Sequence, residues 1–372
     1  MSRPTQLTID LAALNHNFKC IRRLAPNRSV IAMVKANAYG HGLIRVATAL
    51  PDVDAFGVAS LEEGIMLRDA GIKQEIVLME GLFSADELTA CNQYQFTLVV
   101  HHERHLEMLA QSNIRAVRVW LKINTGMHRL GIQPDLVETF YQRLSGLNGV
   151  QKPIGLMTHL AEADDKGSLV TRNQITKFNS AIVNLTGPIS IANSAGILAW
   201  PEAHGDWVRP GLMLYGASPF VDRLGIDLGL KPVMTLSSKL IAITSVKAGQ
   251  KVGYGGTWTA RCNTKIGVIG VGYGDGYPQF AINGTPVLVN GMECPLAGRV
   301  SMDMLTVDLR NQPKAAIDDP VVLWGVGLPV ERVAKYCRTS AYEILTRMTP
   351  RPKIAVKSTV SVELSGCDAP ER

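Results

Sequence analysis

Short apolar runs recur along the first two thirds of the chain, and most are followed by a stretch whose apolar residues return at helical spacing. After Asp10, a good helix N-cap, Leu11, Leu14, Phe18 and Ile21 mark one such stretch. "SVIAMVK" then reads as a buried strand, and like runs follow at "VDAFGVAS", "QEIVLME", "QFTLVV", "RAVRVWLKI", "PIGLMTH", "PISIANS" and "DWVRPGLMLYG". Amphipathic stretches such as "LEEGIMLRDAG" and "PDLVETFYQRLSG" separate most of them. Buried strands alternating with helices imply parallel pairing, and eight of them predict a (β/α)8 barrel.

Past about residue 230 the pattern changes. Two-residue alternation appears in "KLIAITSV", "KIGVIGVGYG" and "TPVLVNGMECPLAG", where Asn290-Gly291 predicts a tight hairpin. Only "PVERVAKYC" and "SAYEILTRM" read as helices there, and the tail "PRPKIAVKSTVSVELSGCDAPER" is expected to be loosely ordered. The chain is therefore expected to divide into a barrel over residues 10–230 and a mainly β domain over 231–372.

Composition narrows the function classes. At 372 residues and 46% apolar content the chain can form two cores, and it is not of the disordered class. A net charge of +6 alone would suit nucleic acid, but the cations are scattered among acids rather than gathered on one face, which argues against it. The absence of a signal-like N-terminus and of a long apolar run gives the expectation of a cytoplasmic protein with no membrane partner. Six dispersed cysteines predict free, mostly buried thiols, and no metal site is expected.

Barrel enzymes carry their chemistry at the C-terminal ends of the strands. There this sequence places Lys35, then Lys122 with Arg129, then His159, then Asn193 and Ser194, then Arg209 and Gly211. A lysine directly after "IAMV" is drawn toward the barrel mouth, where desolvation favours a neutral, nucleophilic amine. The loops "ANSAG" and "RPGLMLYG" offer a hydroxyl and exposed backbone N–H groups suited to a phosphate. Pyridoxal phosphate, a carbonyl compound carrying a phosphate, satisfies both ends.

Other motifs carry blander expectations. "HHERH" at 101–105 lacks metalloprotease spacing and is expected on a solvated helix face, "GVIGVGYGDG" lacks dinucleotide-loop spacing, and the Asp pairs at 164–165 and 318–319 are expected in loops.

In order along nearly the whole chain, "VKANAYGHG", "LKINTGMHRLG", "THLAEAD", "ANSAG", "VRPGLMLYG", "VGYGGTW", "GYGDGYP" and "GRVSMDM" resemble the motifs of bacterial alanine racemases. The resemblance implies a fold type III pyridoxal-phosphate enzyme acting on alanine. It also implies a homodimer with shared active sites, and an N-terminal strand (residues 1–9) joining the β domain.

Carried over by motif, Lys35 resembles the cofactor-bearing lysine and first base, and Tyr254 the opposing base from the other subunit. Arg209 would face the pyridine nitrogen, with His159 between it and Tyr254. Tyr39, Ser194, Gly211, Leu212 and Tyr342 would hold the phosphate. Arg129 and the Met302 N–H would meet the substrate carboxylate, while Lys122, Tyr273 and Asp303 would line or support the entrance. In some members the residue matching Lys122 is carbamylated; here Asn124 stands where aspartate is common. A broad-specificity amino-acid racemase and a non-catalytic pyridoxal-phosphate carrier are the alternatives.

Overall fold

The computed structural model describes residues 3–112 and 116–358. They fall into two compact units, one of residues 18–214 and 219–222, the other of the remaining described residues. The first strand, β1 (Gln6–Asp10), belongs to the second unit.

In the first unit eight parallel strands close in chain order. They are β2 (Ser29–Met33), β3 (Ala55–Val58), β4 (Glu75–Leu78), β5 (Thr97–Val100), β6 (Val119–Lys122), β7 (Gly155–Met157), β8 (Ile189–Ser190) and β9 (Trp207–Val208), which pairs back to β2. Each expected strand is present. Because helices cover the outside and side chains fill the inside, the strands need apolar residues on both faces, and Phe56, Val77, Leu78, Val99 and Leu121 are all fully buried. Side chains start the intervening helices: Ser60 accepts from Glu63 N–H and Ser168 from Val170 N–H.

"HHERH" departs from expectation. His102 caps the helix Glu103–Gln111 by accepting from Arg104 N–H, but His105 is buried. Its Nε2 meets the Leu82 carbonyl at 3.0 Å, while His101 Nε2 meets that of Glu80 at 2.9 Å. The two rings meet edge to face at 4.4 Å. Ring nitrogens satisfied by carbonyls make burial tolerable, and burial lowers the His105 pKa to about 4, keeping it neutral.

The second unit is built on an eight-stranded sheet. Its remaining strands are β10 (Met234–Val246), β11 (Lys251–Val252), β12 (Trp258–Thr259), β13 (Thr264–Ile269), β14 (Pro286–Val289), β15 (Met292–Pro295), β16 (Leu305–Asp308), β17 (Pro320–Trp324) and β18 (Lys353–Lys357). The main path runs β15-β14-β17-β10-β1-β18; β13 pairs with β10 and β16, and β11 with β12 stands apart. Asn290 and Gly291, both at positive φ (51° and 75°), make the expected two-residue turn between β14 and β15.

Both expected helices are present, as Val330–Tyr336 and Ala341–Thr346. The tail is ordered through Lys357, because β18 pairs in parallel with β1 over five positions; residues 359–372 lie outside the described residues. Among the described cysteines all are free, Cys20, Cys91, Cys294 and Cys337 buried and Cys262 exposed, and no described helix is long and apolar enough to cross a membrane.

Candidate active site

The exit from β2 is unlike an ordinary strand-to-helix turn. Lys35 follows Val34, and the next four residues, Ala36, Asn37, Ala38 and Tyr39, all take positive φ between 52° and 54°. Each non-glycine residue there costs about 1–2 kcal/mol, so the surroundings must hold the turn. Glu63 accepts from Ala36 N–H at 2.7 Å, Asn37 Oδ1 accepts from Leu43 N–H at 2.8 Å, and His41 Nδ1 meets the carbonyls of Tyr39 (2.8 Å) and Ala38 (3.0 Å). Burial lowers the His41 pKa to about 4, so the ring that braces the turn is neutral. Lys35 itself stays half-buried at the barrel's C-terminal face.

Across the mouth, β6 ends on the buried Lys122. Burial and then the charges of Arg209, Arg129 and Lys35 lower its pKa to about 8, against the pull of Glu80. Asn124 organises the loop that follows, its Oδ1 accepting from Gly126 N–H (3.2 Å) and His128 N–H (3.0 Å). Lys122, Asn124, Arg129 and His159 line one narrow cleft, with Arg129 exposed. His159 is held well below its ordinary pKa by burial and then by Arg209, Lys122, Arg129 and Lys35.

Arg209 is 3% exposed, just past β9. Its Nη1 donates to Ser190 Oγ at 2.5 Å; its Nη2 donates to the Ile191 carbonyl at 3.1 Å and to that of Thr158. Burial lowers its pKa to about 10, which leaves it charged at neutral pH. No described carboxylate pairs with it. Arg209 acts on His159 through its charge, while donors on both Nη atoms go to Ser190, Ile191 and Thr158.

The loops after β8 and β9 meet at Ser194. Its Oγ accepts from Gly211 N–H at 2.9 Å and from Met213 N–H at 3.4 Å, and Asn193 caps the short helix Ser194–Ala199 through Gly196 N–H. Leu212 is buried beneath. A Cβ on Gly211 would stand 2.5 Å from the Tyr39 hydroxyl, so only glycine lets β2's turn reach this cradle.

The other expected residues belong to the second unit. Tyr254 opens a three-residue turn between Gly253 (φ 72°) and Gly255 (φ 69°) and is 72% exposed. Met302 is 54% and Tyr342 41% exposed, while Tyr273 and Asp303 are intermediate.

Family comparison decides what this arrangement is. Residues 9–219 match the alanine racemase N-terminal domain and residues 233–356 the C-terminal domain. The biosynthetic alanine racemase of Escherichia coli K12 is 50% identical over 93% of this chain and 97% of its own. The chain belongs to the alanine racemase family. Among solved structures, biosynthetic alanine racemase from Pseudomonas aeruginosa matches at a TM-score of 0.93 and 44% identity over 95% of this chain and 99% of that one. The enzyme from Acinetobacter baumannii follows at 0.89 and 39%, over 95% and 100%.

Three polar residues of this alanine racemase family member escaped the sequence reading. Ser190, an inward hydroxyl within an apolar strand, receives Arg209; that isolated polar position was the available signal. Gln174, buried on the helix Leu169–Ala181, donates to the His159 carbonyl (3.1 Å) and accepts from Ala161 N–H (2.9 Å), fixing the loop after β7. Glu63 gave no signal, since its role depends on the left-handed turn.

Proposed function

We propose that the protein interconverts L- and D-alanine with pyridoxal phosphate as cofactor, in a homodimer whose sites take residues from both chains. The observation that carries this reading is the charge at the barrel mouth. Lys35, Lys122, Arg129 and Arg209 act together on His159, and Glu80 is the acid that acts on Lys122. Such a mouth favours anions, namely a phosphate and an amino-acid carboxylate. The Ser194 hydroxyl, the Gly211 and Leu212 backbone and Tyr39 lie together where a phosphate would sit, and Tyr342 would complete the set.

Bound there, pyridoxal phosphate supplies an electron sink that acidifies the substrate Cα–H. Lys35 would hold the cofactor carbonyl and, as a free amine, would move the proton on one face of Cα. Tyr254 of the partner subunit moves the proton on the other face. Arg209, a guanidinium that only donates, would keep a proton off the pyridine nitrogen, tempering the sink and suppressing side reactions. Neutral His159 adds no further cation beside it. Arg129 and the Met302 N–H orient the carboxylate.

Incubating the purified holoenzyme separately with L-alanine and L-lysine tests the reading. D-alanine should accumulate toward equal amounts of both enantiomers, and borohydride should fix the cofactor on Lys35 in a peptide map. Comparable kcat/KM for lysine would move the protein to a broad-specificity racemase. A bound but inert cofactor would make it a carrier.

A further inference from the structure

In the second unit one fully buried carboxylate, Asp275, collects charges from distant parts of the chain. Arg3 Nη2 stands 2.9 Å from its Oδ2, and Arg351 Nε 3.5 Å from its Oδ1. The same arginines hold Asp303. Arg351 Nη2 is 2.6 Å from Asp303 Oδ1, and Arg3 Nη2 donates to the Asp303 carbonyl at 3.0 Å. Burying a carboxylate is costly, and a buried ion pair commonly adds less stability than apolar packing would, so this network is a poor device for stability alone.

What it holds is a pair of turns. Asp275 Oδ2 accepts from Gly272 N–H at 2.9 Å, closing the turn Tyr273–Asp275. Tyr273 N–H donates to the Ser301 carbonyl (3.1 Å) and Gly274 N–H to that of Met302 (2.9 Å). The contact is backbone on backbone, because a Cβ on Gly272 would overlap the Met302 carbonyl and one on Gly274 the Arg351 guanidinium. Thr349 Oγ1 secures the Gly274 carbonyl at 2.9 Å. The Met302 N–H donates to no carbonyl among the described backbone bonds.

We infer that Arg3, Arg351 and Asp275 form a charge clamp that fixes the Met302 N–H in the direction a substrate carboxylate requires. They are positioning residues for substrate affinity. The inference rests on the assignment of Met302 to the carboxylate in the proposed function. A small misplacement of an orienting group is enough to weaken its effect by an order of magnitude or more.

Arg351→Ala, Arg351→Lys and a control, Arg332→Ala, test it in the holoenzyme. The control removes the surface pair of Arg332 with Glu293 in the same unit. In Arg351→Ala, the KM for L-alanine and the KI of propionate, alanine without its amino group, should both rise about tenfold, with kcat within about twofold. Lysine keeps the charge but cannot fork between Asp275 and Asp303, so Arg351→Lys should fall between. Amide exchange over residues 270–278 and 299–305 should quicken about tenfold in Arg351→Ala and stay unchanged in the control. If the alanine variant does not fold, Arg351→Lys carries the same comparisons. Wild-type racemisation with KM and KI unmoved in a folded variant overturns the clamp. Absence of wild-type racemisation overturns the proposed function instead, and amide exchange then decides the clamp, unchanged rates refuting it.

Discussion

The two units differ in how far they bury most of their candidate residues. In the barrel unit Arg209, Ser194, Lys122 and Tyr39 are 3%, 3%, 7% and 8% exposed, while Lys35 is half-buried and Arg129 exposed. In the β unit Tyr254, Met302 and Tyr342 are 72%, 54% and 41% exposed. Most of the first set is enclosed within the chain. The other has the character of a surface that gains its environment from elsewhere, as two bases shared between subunits would require.

Subunit mixing is the strongest way to break this contrast. Lys35→Ala and Tyr254→Phe should each lose activity by about 10³-fold or more as homodimers, since each removes one of two bases. After subunit exchange, about half the dimers pair one of each, and each of these has one complete site, so roughly a quarter of wild-type activity should return. No recovery despite demonstrated exchange places both bases on one chain.

Arg209→Lys probes the enclosed half. An ammonium cannot reach Ser190, Ile191 and Thr158 together, and kcat should fall about 10²-fold while a pyridine nitrogen free to protonate alters the cofactor absorbance. Unchanged rate and spectrum remove Arg209 from the site. Gly211→Ala tests how tightly the cradle is packed. Its Cβ would press on the Tyr39 hydroxyl, so the Kd of pyridoxal phosphate, measured by titration into apoenzyme, should rise about tenfold.

The smallest effect concerns acid stability. His41 has a folded pKa of about 4 against an ordinary 6.5, so between these values the unfolded chain binds the extra proton. Its stabilising contribution is complete above pH 6.5 and lost as pH falls toward 4, by about 3 kcal/mol. Denaturant unfolding of His41→Gln should show a shallower loss over that window, and an unchanged slope would mean the ring titrates normally.

The barrel was legible because every one of its strands had to be apolar on both faces, and its polar strand ends stood out against that background. The eighth strand shows the limit: "DWVRPGLMLYG" reads as one run, but only Trp207 and Val208 are strand, since Pro210 has no N–H to extend the ladder. Residue type misled at His105, where two backbone carbonyls, invisible in sequence, make a polar ring buriable. β18 was missed because "KIAVK" lies at a sheet edge, its residues largely exposed, and its partner is at the opposite end of the chain. The left-handed turn after Lys35 left no trace, as alanine and tyrosine advertise no preference for positive φ. The roles of Arg3 and Arg351 were hidden for the same reason as β18: they exist only through contacts between distant segments.

The parallel pairing of β1 with β18 also orders events during synthesis. All eight barrel strands are made by Val208, and the barrel unit has its described sequence by Asp222. Gln6 must wait for Lys353, and at about 5–20 residues per second that delay is roughly 20–70 s. During it β1 has an unpaired edge, a template for wrong partners on a crowded ribosome. Arg351 reaches Asp275 in the same closing interval. A nascent chain would thus hold a folded barrel before the clamp on its Met302 turn had closed, so full substrate affinity would arrive with the last strand.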